Sequence, residues 1–483
     1  MPQLALRTLM VLAGGETAAI DDDWIEVLEP ATGAVLSEVP RGRAADVDAA
    51  TQAAAQAFPS WRAVSATERG RALNRLADLL DHEREELAQL LCRETGNAIR
   101  TQSRPEIGSA IDILRYFAGV AQETKGETVP LGPGIFNYTV REPMGVVGAM
   151  TPWNAPVQLA VVKAAAAIVT GNTVVLKASE EAPLTVLRVA RLAQDVLPPG
   201  VLNVVTGLGP EAGAALLEDR KVAKLSFTGS TRVGRVVMRA AADRIIPVSL
   251  ELGGKSPAVV CADADDDETA RGVVNGMRFH RQGQSCTAGS RLYVHDAVYD
   301  SFVARLRAHV AELVVGDPMD ERSDMGSLIN QTQYDRVRGY VRGALSAGGE
   351  LLAGTHPDES VRGAGYYLDP ILLGGLAPDA PAACEEIFGP VMVISRWREL
   401  DEVVGLCNDS PYGLAAFVWT KDVSTALRLA HSVEAGWVQV NRGLGQLPGL
   451  SYGGVKASGI GGEFSLETAV EAFTHRKTVT IGL

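Results

Sequence analysis

The sequence predicts an α/β protein with two doubly wound parallel-sheet domains and a small β arm. Three observations predict it. Between residues 145 and 250, short β-branched or apolar runs alternate with helical stretches, and the alternation resumes between 255 and 455. Parallel sheets with crossover helices produce that alternation. Turn residues at 129–134, followed by an alternating run at 136–140, read as a hairpin inserted between two αβ regions with no core of its own. The chain has 483 residues, 46% of them hydrophobic, enough for two or three domains.

In chain order, Leu9-Met10-Val11-Leu12-Ala13 is apolar but follows one arginine and is soon interrupted by Gly14, Gly15 and Glu16. It is too short for a signal core or a membrane span and reads as a strand. Residues 44–58 are alanine-rich, with Asp46 and Asp48 near their start, and read as a helix. Residues 65–95 carry Ala72, Leu73, Leu76, Leu79 and Leu80 at helical spacing and read as one helix closed by Gly96. A further helix covers 107–121. In the first alternating region the expected strands are 146–149, 173–176, 202–205 and 224–227. The helices between them are 159–169, 184–197, 210–219 and 231–242. Lys163 inside the apolar run 161–169, and Gly171 after it, make that run a buried helix. In the second region 291–295, 391–397, 414–420 and 436–441 read as strands and 297–314 as an amphipathic helix, with a last strand at 477–481. The boundary between the two regions falls near Gly253-Gly254.

The formal net charge of -13 argues against non-specific binding to nucleic acid or to anionic membranes. Five cysteines, Cys92, Cys261, Cys286, Cys384 and Cys407, form no CxxC pair, so neither a disulfide framework nor a zinc site is expected, and a reducing, cytoplasmic compartment is. Seven scattered histidines without an HExxH pattern predict no catalytic metal.

The chemistry-bearing stretch is Gly283-Gln284-Ser285-Cys286-Thr287-Ala288. A lone cysteine is commonly a small buried hydrophobe. Among small and polar neighbours it also suits a nucleophile, which needs access and a polar surround. Glu251-Leu252-Gly253-Gly254-Lys255-Ser256-Pro257 supplies a carboxylate beside a glycine pair. Thr151-Pro152-Trp153-Asn154-Ala155-Pro156 supplies a side-chain amide in a proline-bounded loop. A thiol, a carboxylate and an amide are the parts needed to form and hydrolyse a thioester. Gly207 to Gly213 has the wrong spacing for a dinucleotide fingerprint. Phe227-Thr228-Gly229-Ser230 follows a strand and opens a helix, which suits a phosphate and equally an ordinary capped turn with Ser230 or Thr231 as N-cap.

Taken together these stretches resemble the aldehyde dehydrogenase superfamily, in its hydrolytic, NAD(P)-dependent, non-CoA-acylating branch. The resemblance runs over nearly the whole chain. The motifs are PWN at 152–154, LKASE at 176–180, FTGS at 227–230, ELGGKSP at 251–257, GQSC at 283–286, EEIFGPV at 385–391 and GGVKASGIGGE at 453–463, in family order. The resemblance implies a Rossmann-like cofactor domain of residues 1–124 and 144–253, a catalytic domain of 254–455, an oligomerisation arm of 125–143 and 474–483, and a return of 456–473 to the cofactor domain. A homodimer or homotetramer is implied with it.

It also implies roles. Cys286 would be the nucleophile, Asn154 and the Cys286 backbone N–H the oxyanion donors, and Glu251 the base for the hydrolytic water. Lys163 would support Asn154 and the thiol, and Glu463 would be a second carboxylate in proton transfer. Trp153, Phe227, Gly229, Ser230, Gly234, Leu252 and Gly253 would lie along the cofactor, Lys177 and Glu180 at the adenosine ribose, and Glu386 and Phe388 at the nicotinamide end. A carboxylate at Glu180 accepts from a ribose 2′-hydroxyl and repels a 2′-phosphate, so NAD is expected over NADP.

Ala155 and Val162 stand where many relatives carry rings. With Gln158, Leu159, Ser285, Thr287 and Tyr452 they are expected to line a wide, mainly apolar tunnel for a bulky apolar or aromatic aldehyde, unless the loop 443–450 refills it. Loss of aromatic residues argues against a quaternary-ammonium aldehyde. The rival readings are a cysteine hydrolase or acyltransferase, which would need a histidine such as His280 beside Cys286, a CoA-dependent acylating relative, and a non-catalytic relative.

Overall fold

The computed structural model describes residues 7–356, 358–359 and 364–483. Two sheets organise it. The first has eight strands in the order Gly459–Ile460, Val248–Glu251, Val222–Thr228, Val146–Met150, Thr173–Lys177, Leu202–Val205, Met10–Leu12 and Gly15–Thr17. Its five central strands are parallel, with antiparallel strands at both edges. The second has seven strands in the order Glu350–Ala353, Ile371–Gly374, Val391–Trp397, Arg291–His295, Pro257–Val260, Ala415–Trp419 and Trp437–Val440. All but the first of these run parallel. The central strands Val146–Met150, Thr173–Lys177 and Leu202–Val205 are buried at every residue, as expected for parallel strands covered by helices on both faces. The doubly wound reading therefore holds for both halves.

Chain order reverses in the first sheet beside Val146–Met150. The strands of 173 and 202 lie on one side of it and those of 222 and 248 on the other. Ligand crevices in such sheets form at the carboxyl ends of the strands flanking that reversal. Those ends are Thr151-Pro152-Trp153-Asn154 and Thr228-Gly229-Ser230.

The helix expected over 65–95 is two helices, Ala66–His82 and Arg84–Thr95. Glu83 leaves helical geometry at φ −97, ψ 14, and its carboxylate takes the Arg188 guanidinium at 2.8 and 2.5 Å. With no Gly or Pro at the break, the apolar spacing runs straight through it. Helix 210–219 is likewise a π-turn at Gly209–Gly213 leading into the short helix Ala214–Glu218. The hairpin Trp24–Glu29 with Ala34–Pro40 was not expected.

Strand Ile135–Pro143 pairs antiparallel with the C-terminal strand Thr474–Gly482 along its whole length. The arm is thus closed by the last strand of the chain, and the expected hairpin is present in short form beside it: Thr128 bridges antiparallel to Tyr138, and Thr139 N donates to the Glu127 carbonyl at 2.8 Å. Its Ile135, Phe136 and Ile481 are exposed. Two strands alone bury too little to be stable in water.

Candidate active site

Three chain segments meet at the crevice. Strand Val146–Met150 delivers the turn bearing Asn154, whose buried amide Nδ2 donates to the Gln284 carbonyl at 2.9 Å. That bond ties the turn to the loop of Cys286. Strand Val248–Glu251 delivers Glu251 at its last residue. The Gly253-Gly254 pair after it lets the halves close up: a Cβ on Gly254 would stand 2.4 Å from the Cys286 carbonyl oxygen. Gly283, at φ +64, turns the chain where a Cβ would strike the Gly389 carbonyl oxygen at 2.0 Å. Only glycine fits there, for both reasons.

The Cys286 Sγ lies 3.5 Å from the Tyr452 hydroxyl. Burial pushes this thiol up to about 11; the tyrosine hydroxyl works against that rise, and Glu386 and Glu251 add to it. Both carboxylate oxygens of Glu251 are buried without a hydrogen-bond partner among the described residues. Burial holds its carboxyl well above the usual range, Glu463 adds to the effect and Lys163 opposes it. Lys163 forms a close ion pair with Glu463 and donates to Ser226 Oγ at 3.2 Å. It was expected to support Asn154 and the thiol; among the described residues it makes no hydrogen bond to either, and its reach is toward the carboxylates. The second oxygen of Glu463 is buried and unpartnered.

On the other side of the crevice, Lys177 Nζ stands 2.5 Å from Glu180 Oε2, and the Gly209 N–H approaches Glu180 Oε1 at 3.4 Å. Burial opposes ionisation of Glu180, but the Lys177 ammonium outweighs it and the carboxyl sits below its ordinary value. Ser230 is the N-cap of helix Thr231–Arg244, its Oγ accepting from Val233 N at 3.3 Å. The capped-turn reading is therefore correct for this side chain. The Gly229 N–H donates to the Glu251 carbonyl at 3.0 Å and is already used. Phe227 is buried beneath Gly229, and Gly234 is packed against Leu252 so closely that a Cβ would meet its side chain at 2.5 Å. Glu386 Oε1 accepts from Gly254 N at 2.9 Å, and the same carboxylate covers Gly253. Trp153 and Phe388 meet edge to face at 5.4 Å.

Residues 17–479 match the profile of the Aldehyde dehydrogenase family. The chain belongs to that family. It is 41% identical over 471 residues, 96% of this chain and 93% of the other, to a mitochondrial aldehyde dehydrogenase of Mesocricetus auratus. It is also 41% identical over 488 residues to the phenylacetaldehyde dehydrogenase of Pseudomonas fluorescens, covering 99% of this chain and 96% of that one. Among solved structures, the NAD+ complex of a Bacillus cereus aldehyde dehydrogenase superposes with a TM-score of 0.96 at 37% identity, covering 99% of this chain and 97% of that one. Among the described residues, no group of three or more His, Cys, Asp or Glu side chains suited to a metal occurs and no helix is long and apolar enough to cross a membrane.

Of the residues expected to wall the substrate in this aldehyde dehydrogenase, Gln158, Ser285 and Thr287 line one cavity and Ala155, Leu159, Val162 and Tyr452 do not line it. Ala155, Gln158, Val162, Ser285, Thr287 and Tyr452 are buried and Leu159 half-buried, as a pocket wall requires. Yet the cavity of about 200 Å³ beside Ser285 and Thr287 is not mainly apolar. Gln102, Glu106, Ser109, Gln158, Arg278, His280, Arg281 and Gln446 line it. The loop 443–450 does not refill it with bulk: Leu444, Leu447 and Leu450 are about half exposed, and only Gly445 and Gln446 face inward. Arg278 and Arg281, just ahead of the 283–288 stretch, are the sequence signal for this polar lining.

Proposed function

We propose that the chain oxidises an aldehyde to the carboxylic acid with NAD, through a thiohemiacetal and then a thioester on Cys286. The observation that carries this reading is Glu251, a buried carboxylate with both oxygens unpartnered, in the cleft that holds the Cys286 thiol. A buried carboxylate left unpaired is costly, which is understandable where a base is needed.

Cys286 gives up its thiol proton to solvent and adds to the aldehyde carbon as the thiolate. A primary amide has two N–H donors; one on Asn154 is anchored by Gln284, leaving the other, with the Cys286 backbone N–H, for the developing alkoxide. The loss of one such donor costs about 10²–10³ in rate. The chemistry NAD supplies when bound is hydride acceptance. Glu251 then takes a proton from the water that opens the thioester, and Glu463, held by Lys163, is the next acceptor in line.

The residues fit NAD. Thr151 Oγ1 and Thr228 Oγ1, at the two strand ends flanking the reversal, are buried and unpartnered, as polar atoms awaiting a ligand would be. Trp153, Phe227, Ser230, Gly234, Leu252 and Gly253 would lie along it, with Glu386 and Phe388 toward the nicotinamide. Glu180, ionised beside Lys177, accepts from a ribose 2′-hydroxyl and disfavours a 2′-phosphate. The Lys177 charge softens that preference, so NADP is a poorer cofactor rather than an excluded one.

The short side chains of Ala155 and Val162 support a bulky, ring-sized aldehyde, in keeping with the name of the Pseudomonas relative. A hydrolase with His280 as base is disfavoured, because burial and the neighbouring Arg278 and Arg281 push that imidazole down to about 3. The exposed apolar residues of the arm support a homodimer or homotetramer, and a division of the chain near 253/254 and at the arm follows the two sheets. Five unpaired cysteines support a cytoplasmic setting.

Cys286→Ala tests the reading. NADH formation from every aldehyde should vanish while NAD binding, followed by quenching of tryptophan fluorescence, persists. A fully active Cys286→Ala enzyme would overturn it.

A further inference from the structure

The polar cavity is lined by Ser285 and Thr287, the residues on either side of Cys286 in the chain. Its charges do not cancel. Arg278 and Arg281 face one carboxylate, Glu106. Glu106 is used elsewhere: Oε1 accepts from Val157 N at 3.1 Å and Gln158 N at 3.4 Å, and Oε2 accepts from Gln102 Nε2 at 3.2 Å. No ion pair joins it to either arginine among the described residues. Arg278 is used too, donating to the Gly443 carbonyl at 2.9 Å and to the Leu444 carbonyl. Arg281 is not. Its guanidinium makes no hydrogen bond or ion pair among the described residues, and its Nε is buried without a partner.

The backbone holds Arg281 there at a cost. It ends a short 3₁₀ turn, Phe279–Arg281, bracketed by two non-glycine residues in left-handed geometry, Arg278 at φ 60 and Gln282 at φ 52. Strain of this kind persists where the surroundings impose it, and it clusters at ligand sites. A half-buried guanidinium whose Nε is buried and unpartnered, beside the hydroxyls of Ser285 and Thr287, matches a carboxylate, whose two oxygens fit the planar fork.

We propose that the cavity is an anion subsite: the aldehyde carries a carboxylate remote from its carbonyl, received by Arg281. The inference rests on the dehydrogenase reading and narrows it from a bulky aldehyde to a bulky or extended aldehyde acid.

A size-matched pair tests it. With wild-type enzyme and NAD, 4-carboxybenzaldehyde should exceed 4-methylbenzaldehyde in kcat/KM by at least about tenfold, the value of one charge-assisted hydrogen bond. The advantage should shrink as salt is raised. Arg281→Gln should erase the advantage, bringing the two substrates to equal kcat/KM whatever its effect on their common turnover; Arg281→Lys should restore part of it. Equal kcat/KM for the pair in wild type overturns the proposal. So does an unchanged ratio in Arg281→Gln with both substrates slowed alike, which would make Arg281 a distant counter-ion of Glu106. If neither aldehyde yields NADH, the dehydrogenase reading fails and calorimetry decides the subsite. Terephthalate should bind more tightly than 4-methylbenzoate to the wild type but not to Arg281→Gln, and equal affinities for the wild type overturn it.

Discussion

Two regions of this aldehyde dehydrogenase bury glutamates to the same depth and treat them in opposite ways. Under the helices, Glu94 and Glu106 are 0% and 2% exposed. Glu94 accepts from Leu184 N at 2.7 Å, Thr185 N at 2.9 Å and the Thr185 hydroxyl, so it caps helix Leu184–Gln194 from a neighbouring helix. Glu106 does the same for Pro156–Val169 through Val157 and Gln158. These are the N–H groups a helix start leaves unsatisfied, at its positive end. In the cleft, Glu251 and Glu463 are 4% and 7% exposed, and three of their four oxygens accept nothing. The difference separates two uses of a buried carboxylate. One is consumed by the fold. The other is left open, at a cost in stability, as the proposed role of a base requires.

The largest expected effect is on catalysis at the open site. Glu251→Gln should lower steady-state turnover by about 10²–10⁴, the range of a lost general base, while a burst of NADH survives in rapid mixing. Its melting temperature should hold or rise, because an unpaired buried carboxylate is removed. In the wild type the deacylation rate should fall with decreasing pH along a limb set above the usual carboxylate range, since the base works ionised and burial raises its pKa. A lost burst would reassign Glu251 to activation of the thiol.

Glu94→Ala should reverse the pattern. Chemical denaturation should show a stability loss of about 1–3 kcal/mol as buried N–H donors lose their acceptor, with turnover per folded molecule unchanged. A catalytic defect without destabilisation would erase the distinction between the two regions.

Glu463→Gln sits between them. Turnover should drop by less than about tenfold, below the range of a primary base. The acid limb of deacylation should move to lower pH. The sign follows from charge: Glu463 raises the Glu251 pKa, so removing it lowers that pKa and lets Glu251 ionise earlier. A limb that stays in place would uncouple the two carboxylates.

The open carboxylate was legible in the sequence and the satisfied ones were not. Glu251 stands in ELGGKSP, a stretch whose glycines and carboxylate have a joint chemical reading. Glu94 and Glu106 stand in helices among other charges, and nothing local says that their partners are 90 and 51 residues away. The same limit explains the split helix at Glu83, where a distant Arg188 helps fix the break, and the direction of Lys163, which turns to Glu463 300 residues on. The strands and parallel alternation were readable because they are local patterns of apolar spacing. The polar cavity beside Ser285 and Thr287 was not legible because Arg278, Arg281 and Glu106 converge only in three dimensions.

The smallest expected effect asks the same question of volume. Val162 is 1% exposed and packed within the large core cluster that also holds Tyr452. If the room beside it belongs to the cleft, Val162→Trp fills space a substrate ring would use. The kcat/KM advantage of 4-methylbenzaldehyde over acetaldehyde should then shrink by about tenfold, the scale on which a hydrophobic pocket discriminates, with NAD affinity unchanged. If the room belongs to the core, the added ring has to displace packed neighbours, which costs about 1–3 kcal/mol, and the substrate ranking stays as it was. The expected result is the first, because Ala155, the N-cap of the same helix, is also short, and Leu444, Leu447 and Leu450 of the loop 443–450 are about half exposed rather than taking up the space. A thermal melt beside the two-substrate comparison separates the outcomes: a changed ranking at nearly constant melting temperature assigns Val162 to the open region, and a lowered melting temperature with an unchanged ranking assigns it to the closed one.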